Sequence, residues 1–167
     1  MAGATLTIRD ETIDAGLARL YEAAETITPA LKNIGEHEAE VTRRRFVDEQ
    51  DTQGRAWKPL NPLYRKTKKG SGILRGESRS LSQISWQLVD DTSVEVGSNE
   101  VYARIHNKGG VIKAKDAPAL VFSMGGKTIK VKSVTIPKRQ FLGLSEKDRA
   151  DILDIIEDHF APFASAE

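Results

Sequence analysis

The chain reads as an α+β domain: a long kinked N-terminal helix, an extended basic arm, a small antiparallel sheet and a C-terminal helix. Three observations predict this. Apolar residues recur at spacings of three and four through the first fifty positions, short runs alternate between 84 and 136, and a capped helical run closes the chain over 145–160. At 167 residues there is material for one core, so the whole chain is read as a single domain.

Leu6 and Ile8 alternate with Thr5, Thr7 and Arg9 as a short extended lead-in. Asp10 is placed to cap a helical region over 10–48, with Glu11 and Asp14 favourable in its first turn. Its stripe is Ile13, Leu17, Leu20, Ala24, Ile27, Leu31, Ile34 and Val41. The stripe keeps register across Pro29, which favours one kinked helix, although Thr28–Pro29 is also a good cap and first-turn pair for a second helix. It fades at Glu38 and Arg45, so the second half is expected to emerge at a surface or subunit contact. Arg43, Arg44 and Arg45 read as a solvated cluster complementing the helix dipole.

Residues 51–81 have no sustained period and form the arm. Ile84, Trp86 and Leu88 alternate as a half-buried strand, Asp90–Asp91–Thr92 turns, and Val94 and Val96 answer. Asn99 is placed to cap a helical turn over 101–106, stopped by Gly109–Gly110. A hairpin follows, 120–124 and 128–132 around Gly125–Gly126, within a strand region extending to 136. The alternation slips phase at Ser133, which suggests a bulge or the hairpin's end. Ser145 with Asp148 forms a relaxed capping box for the last helix, which Pro162 is expected to end.

The net charge of +1 conceals segregation. Residues 1–50 carry six Lys/Arg against ten Asp/Glu and 141–167 carry two against seven, whereas 51–81 carry eight against two. Acidic ends and a basic middle allow one surface of a copy to attract a different surface of the next, or allow the two halves to neutralise each other within one monomer. There are no cysteines, which excludes disulfides and thiolate chemistry and fits a reducing compartment. No secretory leader and no membrane-length apolar run is expected, and no membrane partner.

Catalytic signals are weak. His37, His106 and His159 are scattered without a second ligand at metal spacing. The glycines at 70, 72 and 76 lack the strand and helix of a phosphate loop. Asp90–Asp91 is explained as a turn and Ser145 as a cap. The reading is no enzyme, no metal and no cofactor.

What remains is the arm. Arg55, Lys58, Lys68, Lys69 and Arg75 are interleaved with Trp57, Leu60, Tyr64, Ile73 and Leu74, and these ten are the candidate residues for an oligomer or partner interface. Arg65, Lys66 and Arg79 are the candidates to face DNA. On this reading the apolar anchors bury against a neighbouring subunit, and deleting 55–79 leaves a folded monomer that no longer assembles. The competing reading is a small DNA-binding module using the arm, with Trp57 and Tyr64 as stacking platforms.

An ordered set of residues then points further. It runs from Phe46 through Asp51-Thr52-Gln53-Gly54-Arg55-Ala56-Trp57-Lys58-Pro59-Leu60, the Lys68–Lys69 pair, Ile73–Leu74, Ser80–Leu81 and Ile84. It continues through Val96–Gly97, Tyr102-Ala103-Arg104-Ile105-His106, Gly109–Gly110 and Pro137 to Arg139, Phe141, Leu142, Gly143 and Leu144. This set resembles the phage virion morphogenesis family, the tail-completion proteins of Mu- and P2-like contractile-tailed phages. The chain departs from the pattern at Thr52, where the family commonly has proline, and at Ser80, where it often has glycine. The resemblance implies a non-enzymatic neck protein of the virion, assembled in the host cytoplasm. It would complete the tail and support head–tail joining as a homo-oligomeric, commonly hexameric ring. Its implied partners are itself, tail terminal components and head connector proteins, with non-specific contact to DNA in the lumen. An assembly chaperone absent from the finished particle is the remaining alternative.

Overall fold

The computed structural model describes residues 11–78 and 80–164. The lead-in at Leu6 and Ile8, the Asp10 cap and Arg79 lie outside the described residues. The helices are α1 (Glu11–Glu25), α2 (Thr28–Asp48), α3 (Pro62–Thr67), α4 (Ala103–Lys108) and α5 (Glu146–Ala164). The strands are β1 (Ser85–Asp90), β2 (Ser93–Gly97), β3 (Gly110–Lys113), β4 (Leu120–Met124), β5 (Lys127–Val131) and β6 (Ser133–Ile136). The arrangement is α+β, with helices at both ends and antiparallel strands between.

The N-terminal helical region is two helices rather than one kinked helix. Pro29 has no N–H to donate to the Glu25 carbonyl, and its ring crowds that oxygen, so α1 stops at Glu25. Thr26 closes the end by donating its hydroxyl to the Glu22 carbonyl at 2.9 Å. The residue at the cap position of α2 is Ile27, one place before the expected Thr28, and no side chain caps it. The proline in the first turn supplies the start.

α2 buries Ala30, Ile34, Gly35, Glu38, Ala39, Thr42, Arg45 and Phe46 on one face. The expected emergence at Glu38 and Arg45 is therefore wrong, and Arg45 does not belong to a solvated cluster. Hydropathy could not show this, because Arg45 is buried by its pairing with Asp148 and its bonds to carbonyls, and Glu38 by the packing around it, rather than by being apolar. Phe46 and Phe141 are fully buried, with ring centroids 4.8 Å apart, and the Trp57 ring meets Phe46 edge-on at 5.5 Å. Ala39, Ile73, Leu81, Ile84 and Ala103 complete this core.

Antiparallel pairing is divided among three two-stranded ribbons. In β1–β2, Trp86 faces Val96 and Leu88 faces Val94, as the alternation requires. The β4–β5 hairpin turns on Gly125 and Gly126, whose φ values of 62° and 77° suit the tight turn that glycine favours. The phase slip at Ser133 is a change of partner: β5 pairs with β4, and β6 pairs with β3. The strand β3 went unforeseen because its four residues are all exposed, leaving no alternation to read.

Two boundaries differ from expectation. α4 begins at Ala103 with Tyr102 at its cap position, so Asn99 does not cap it; Gly109 ends it at φ 71°. α5 continues through Pro162 to Ala164, since a proline in the last turn forfeits one hydrogen bond while its φ suits the helix. The Ser145 box forms reciprocally. The Asp148 N–H donates to the Ser145 hydroxyl at 3.0 Å, and the Ser145 N–H donates to the Asp148 carboxylate at 2.6 Å.

α2 lies across the β1–β2 ribbon at Gly35, where a Cβ would stand 2.7 Å from the Trp86 ring and 2.9 Å from Val94. Gly35→Ala is expected to destabilise by about 1–3 kcal/mol despite the better helix propensity of alanine, because the indole must move. A urea midpoint equal to or above that of the parent would show the ring to be free to shift.

Candidate functional site

The arm is fixed to the body by backbone hydrogen bonds that begin at Glu49. This residue ends α2 in the left-handed region (φ 56°) and reverses the chain. Its carbonyl accepts the Trp57 N–H at 2.8 Å, and its carboxylate accepts the Ile73 N–H at 2.6 Å, so one residue holds both limbs of the arm. Between them Asp51 organises a tight turn. Its carboxylate accepts the N–H groups of Gln53 and Arg55 at 2.8 and 3.0 Å, and the Arg55 guanidinium folds back onto it at 2.8 Å. Burial pushes the Asp51 carboxyl up, but these three hydrogen bonds and the charge of Arg55 outweigh it and hold it below the usual carboxylate range.

Asn61 caps α3 by accepting the Leu63 N–H at 2.9 Å, with Pro62 at the first helical position. That cap-and-proline pair was the available signal for a helix inside the arm. Lys68 turns inward at its end. Its ammonium donates to the carbonyls of Lys69 and Gly70, at 3.1 and 3.0 Å, and to that of Arg75, closing the Gly-rich crossing. Partial burial, then the Arg75 charge, lower its pKa below that of an ordinary lysine.

The segment before α5 grips the arm from the other side. Arg139 is buried and donates to the carbonyls of Lys58 at 2.8 Å and Pro59 at 3.2 Å. The Trp57 indole N–H donates to the Gln140 carbonyl at 3.1 Å. Asn107 accepts the N–H groups of both Phe141 and Leu142, at 2.8 and 2.9 Å. Arg45 reaches the same segment from α2. It donates to the carbonyls of Phe141 and Gly143 at 3.0 and 2.8 Å and pairs with Asp148 at the start of α5. Composition alone gives none of these roles to Arg45, Glu49, Asn107 or Arg139.

The ten interface candidates thus divide. Trp57 and Ile73 lie in the chain's own core, with Leu60 and Leu74 packed against it. Arg55 is tied to Asp51, and Arg75 is half-buried. Lys68 is committed to carbonyls. Lys58, Tyr64 and Lys69 remain on the surface, as do Arg65 and Lys66 of α3.

Arm and ribbons together enclose a groove of about 790 Å³, with Leu60, Tyr64, Leu74, Val121, Phe122 and Val134 among its lining residues. His106 and Arg139 also line it. Burial, and then the charge of Arg139, lower the His106 pKa below its ordinary 6.5. The unfolded chain therefore takes up a proton that the folded chain resists, so this residue's contribution to stability is lost as pH falls below 6.5. His106→Gln is expected to flatten that part of the profile. Equal changes in urea midpoint between pH 7.5 and 5.5 in parent and variant would assign the loss elsewhere.

Among the described residues no group of three or more His, Asp or Glu side chains is arranged to hold a metal ion, and no helix is long and apolar enough to cross a membrane. The sequence model of the phage virion morphogenesis family matches residues 8–161. A curated relative, the "Mu-like prophage FluMu G protein 2" of Haemophilus influenzae, is 29% identical over 151 residues, covering 90% of each chain. No solved structure matches.

Proposed function

We propose, from the premise that this chain belongs to the phage virion morphogenesis family, that it is a structural component of the virion neck. Membership supports a part in building a phage virion, structural rather than catalytic. The finer reading is a homo-oligomeric ring of six copies that completes the tail and supports its joining to the head. It would meet tail terminal components on one side and head connector proteins on the other, and be assembled in the host cytoplasm. The single observation that carries it is the family match over residues 8–161, which spans the arm and both acidic ends.

The structure changes how the arm serves this role. Trp57, Leu60, Ile73 and Leu74 build the platform, and Tyr64 with the exposed cations Lys58, Arg65, Lys66 and Lys69 is what it presents. A DNA-binding module loses its main stacking platform, because the Trp57 ring is 5% exposed inside the core. Contact with DNA passing the lumen would be through phosphate charge, with Tyr64 the arm's exposed aromatic.

Two measurements test the proposal together. Native mass spectrometry of the purified chain is expected to show a closed oligomer, and peptide analysis of purified virions to find the chain in stoichiometric amount. Closed oligomers with no protein in the virion would instead make it an assembly chaperone. A monomer at every concentration that is also missing from virions would overturn the ring.

A further inference from the structure

α1 presents more apolar surface than it buries. Ala23 is its one buried residue among those described. It meets α5 through this side: Arg19 donates to the Phe163 carbonyl at 3.4 Å, and His159 pairs with the Ala23 carbonyl at 3.0 Å. The adjoining face carries Leu17, Leu20 and Tyr21, which are 60%, 38% and 67% exposed. A helix of 15 residues is marginal by itself and is held in proteins by covering its apolar stripe. The same helix is acidic, with Glu11, Asp14, Glu22 and Glu25 against Arg19 alone.

The groove has the opposite character. Among the described residues its lining includes Lys68 and Arg139 and no acid, and two lysines neighbour lining residues across β4–β5, Lys130 opposite Val121 and Lys127 opposite Met124. Residues 101–140 hold nine Lys/Arg and a single acid, Asp116.

We propose that α1 of one copy docks in the groove of the next. This rests on the ring reading and names its contact. Leu17, Leu20 and Ala24 have the i, i+3, i+7 spacing of helix-in-groove anchors, and the carboxylates of α1 meet a lining that holds cations and no acid, with Lys130 beside it at Val121. Packing of α1 on α1 would set like charge against like, so complementarity favours the head-to-tail contact. Such a contact uses two different surfaces and closes into a ring when its rotation permits.

The absence of native cysteine allows a direct test in the full chain. Leu17→Cys and Val121→Cys chains are prepared separately, mixed, and treated with a short bismaleimide. Covalent dimers are expected in the mixture and in neither chain alone. Leu17→Asp is expected to weaken self-association at least about tenfold, as when one hot-spot residue is lost, without lowering the monomer's melting temperature. Oligomers without the mixed dimer would overturn the docking mode and leave the ring standing. Leu17→Cys coupling to itself would replace it with α1-on-α1 packing. Duplex DNA held by Lys127 and Lys130, with no self-association, would make the groove a nucleic-acid surface. A monomer throughout overturns both the docking and the ring.

Discussion

Replacing Arg45 with alanine is expected to cost about 3–5 kcal/mol, a large share of the roughly 5–15 kcal/mol that holds an ordinary domain together. The side chains of Arg45 and Asp148 are 8% and 5% exposed, so solvent screens their attraction little. Removing the guanidinium leaves the Asp148 carboxylate buried beside Glu38, whose own pKa is raised first by burial and next by Asp148. It also strips the Phe141 and Gly143 carbonyls of their donor. The double replacement Arg45→Met with Asp148→Leu is expected to cost less than Arg45→Ala, because the Asp148 carboxylate is no longer stranded and its charge no longer opposes that of Glu38. It still forfeits the capping box at Ser145. Urea unfolding of the three proteins checks both statements. A loss below about 1 kcal/mol for Arg45→Ala, the range of exposed pairs, would mean that water reaches the site.

Trp57→Ala is expected to lose a further about 3–5 kcal/mol class of stability by a different route, the cavity left beside Phe46 and the missing bond to Gln140. Trp57→Phe should recover much of the packing and none of the hydrogen bond. The measurement that matters is where the loss appears. Amide exchange is expected to accelerate in α2 and in residues 138–144 as well as in the arm, because the indole joins all three. Acceleration confined to 55–79 would restore the picture of a detachable arm. By the same reasoning, deleting 55–79 removes Trp57 and Ile73 from the core and should unfold the chain, rather than leave a monomer that merely fails to assemble.

The elements with strong periodicity were legible: α2 and α5, the β1–β2 alternation, the glycine hairpin and the Ser145 box. Their signals are local, which is why a linear reading recovers them. The split at Pro29 was visible but outweighed by the continuous stripe, and α3 was hidden because six residues are too few for a period. The candidate site was read less well, for one physical reason. A hydrophobe in an irregular segment looks the same whether it covers a neighbour or its own core. What decides is the partners, and those lie far along the chain: Trp57 with Gln140, and Arg45 with Asp148. Buried charge misleads in the same way, since Arg45 within Arg43–Arg44–Arg45 carries no mark to separate it from its solvated neighbours.

Among the described residues, the division of the strands into three ribbons leaves every strand with one open side. Such rims expose rows of backbone donors and acceptors, which template the addition of foreign strands and so invite aggregation. Lysine is a common guard against this, being long, charged and costly to desolvate. The ribbons carry it at Lys113 in β3 and at Lys127 and Lys130 in β5, with Lys132 between β5 and β6. Copies that have yet to enter a virion must stay dispersed while these rims are open. The lysines that would later receive an acidic helix can meanwhile keep the copies from zipping together edge to edge.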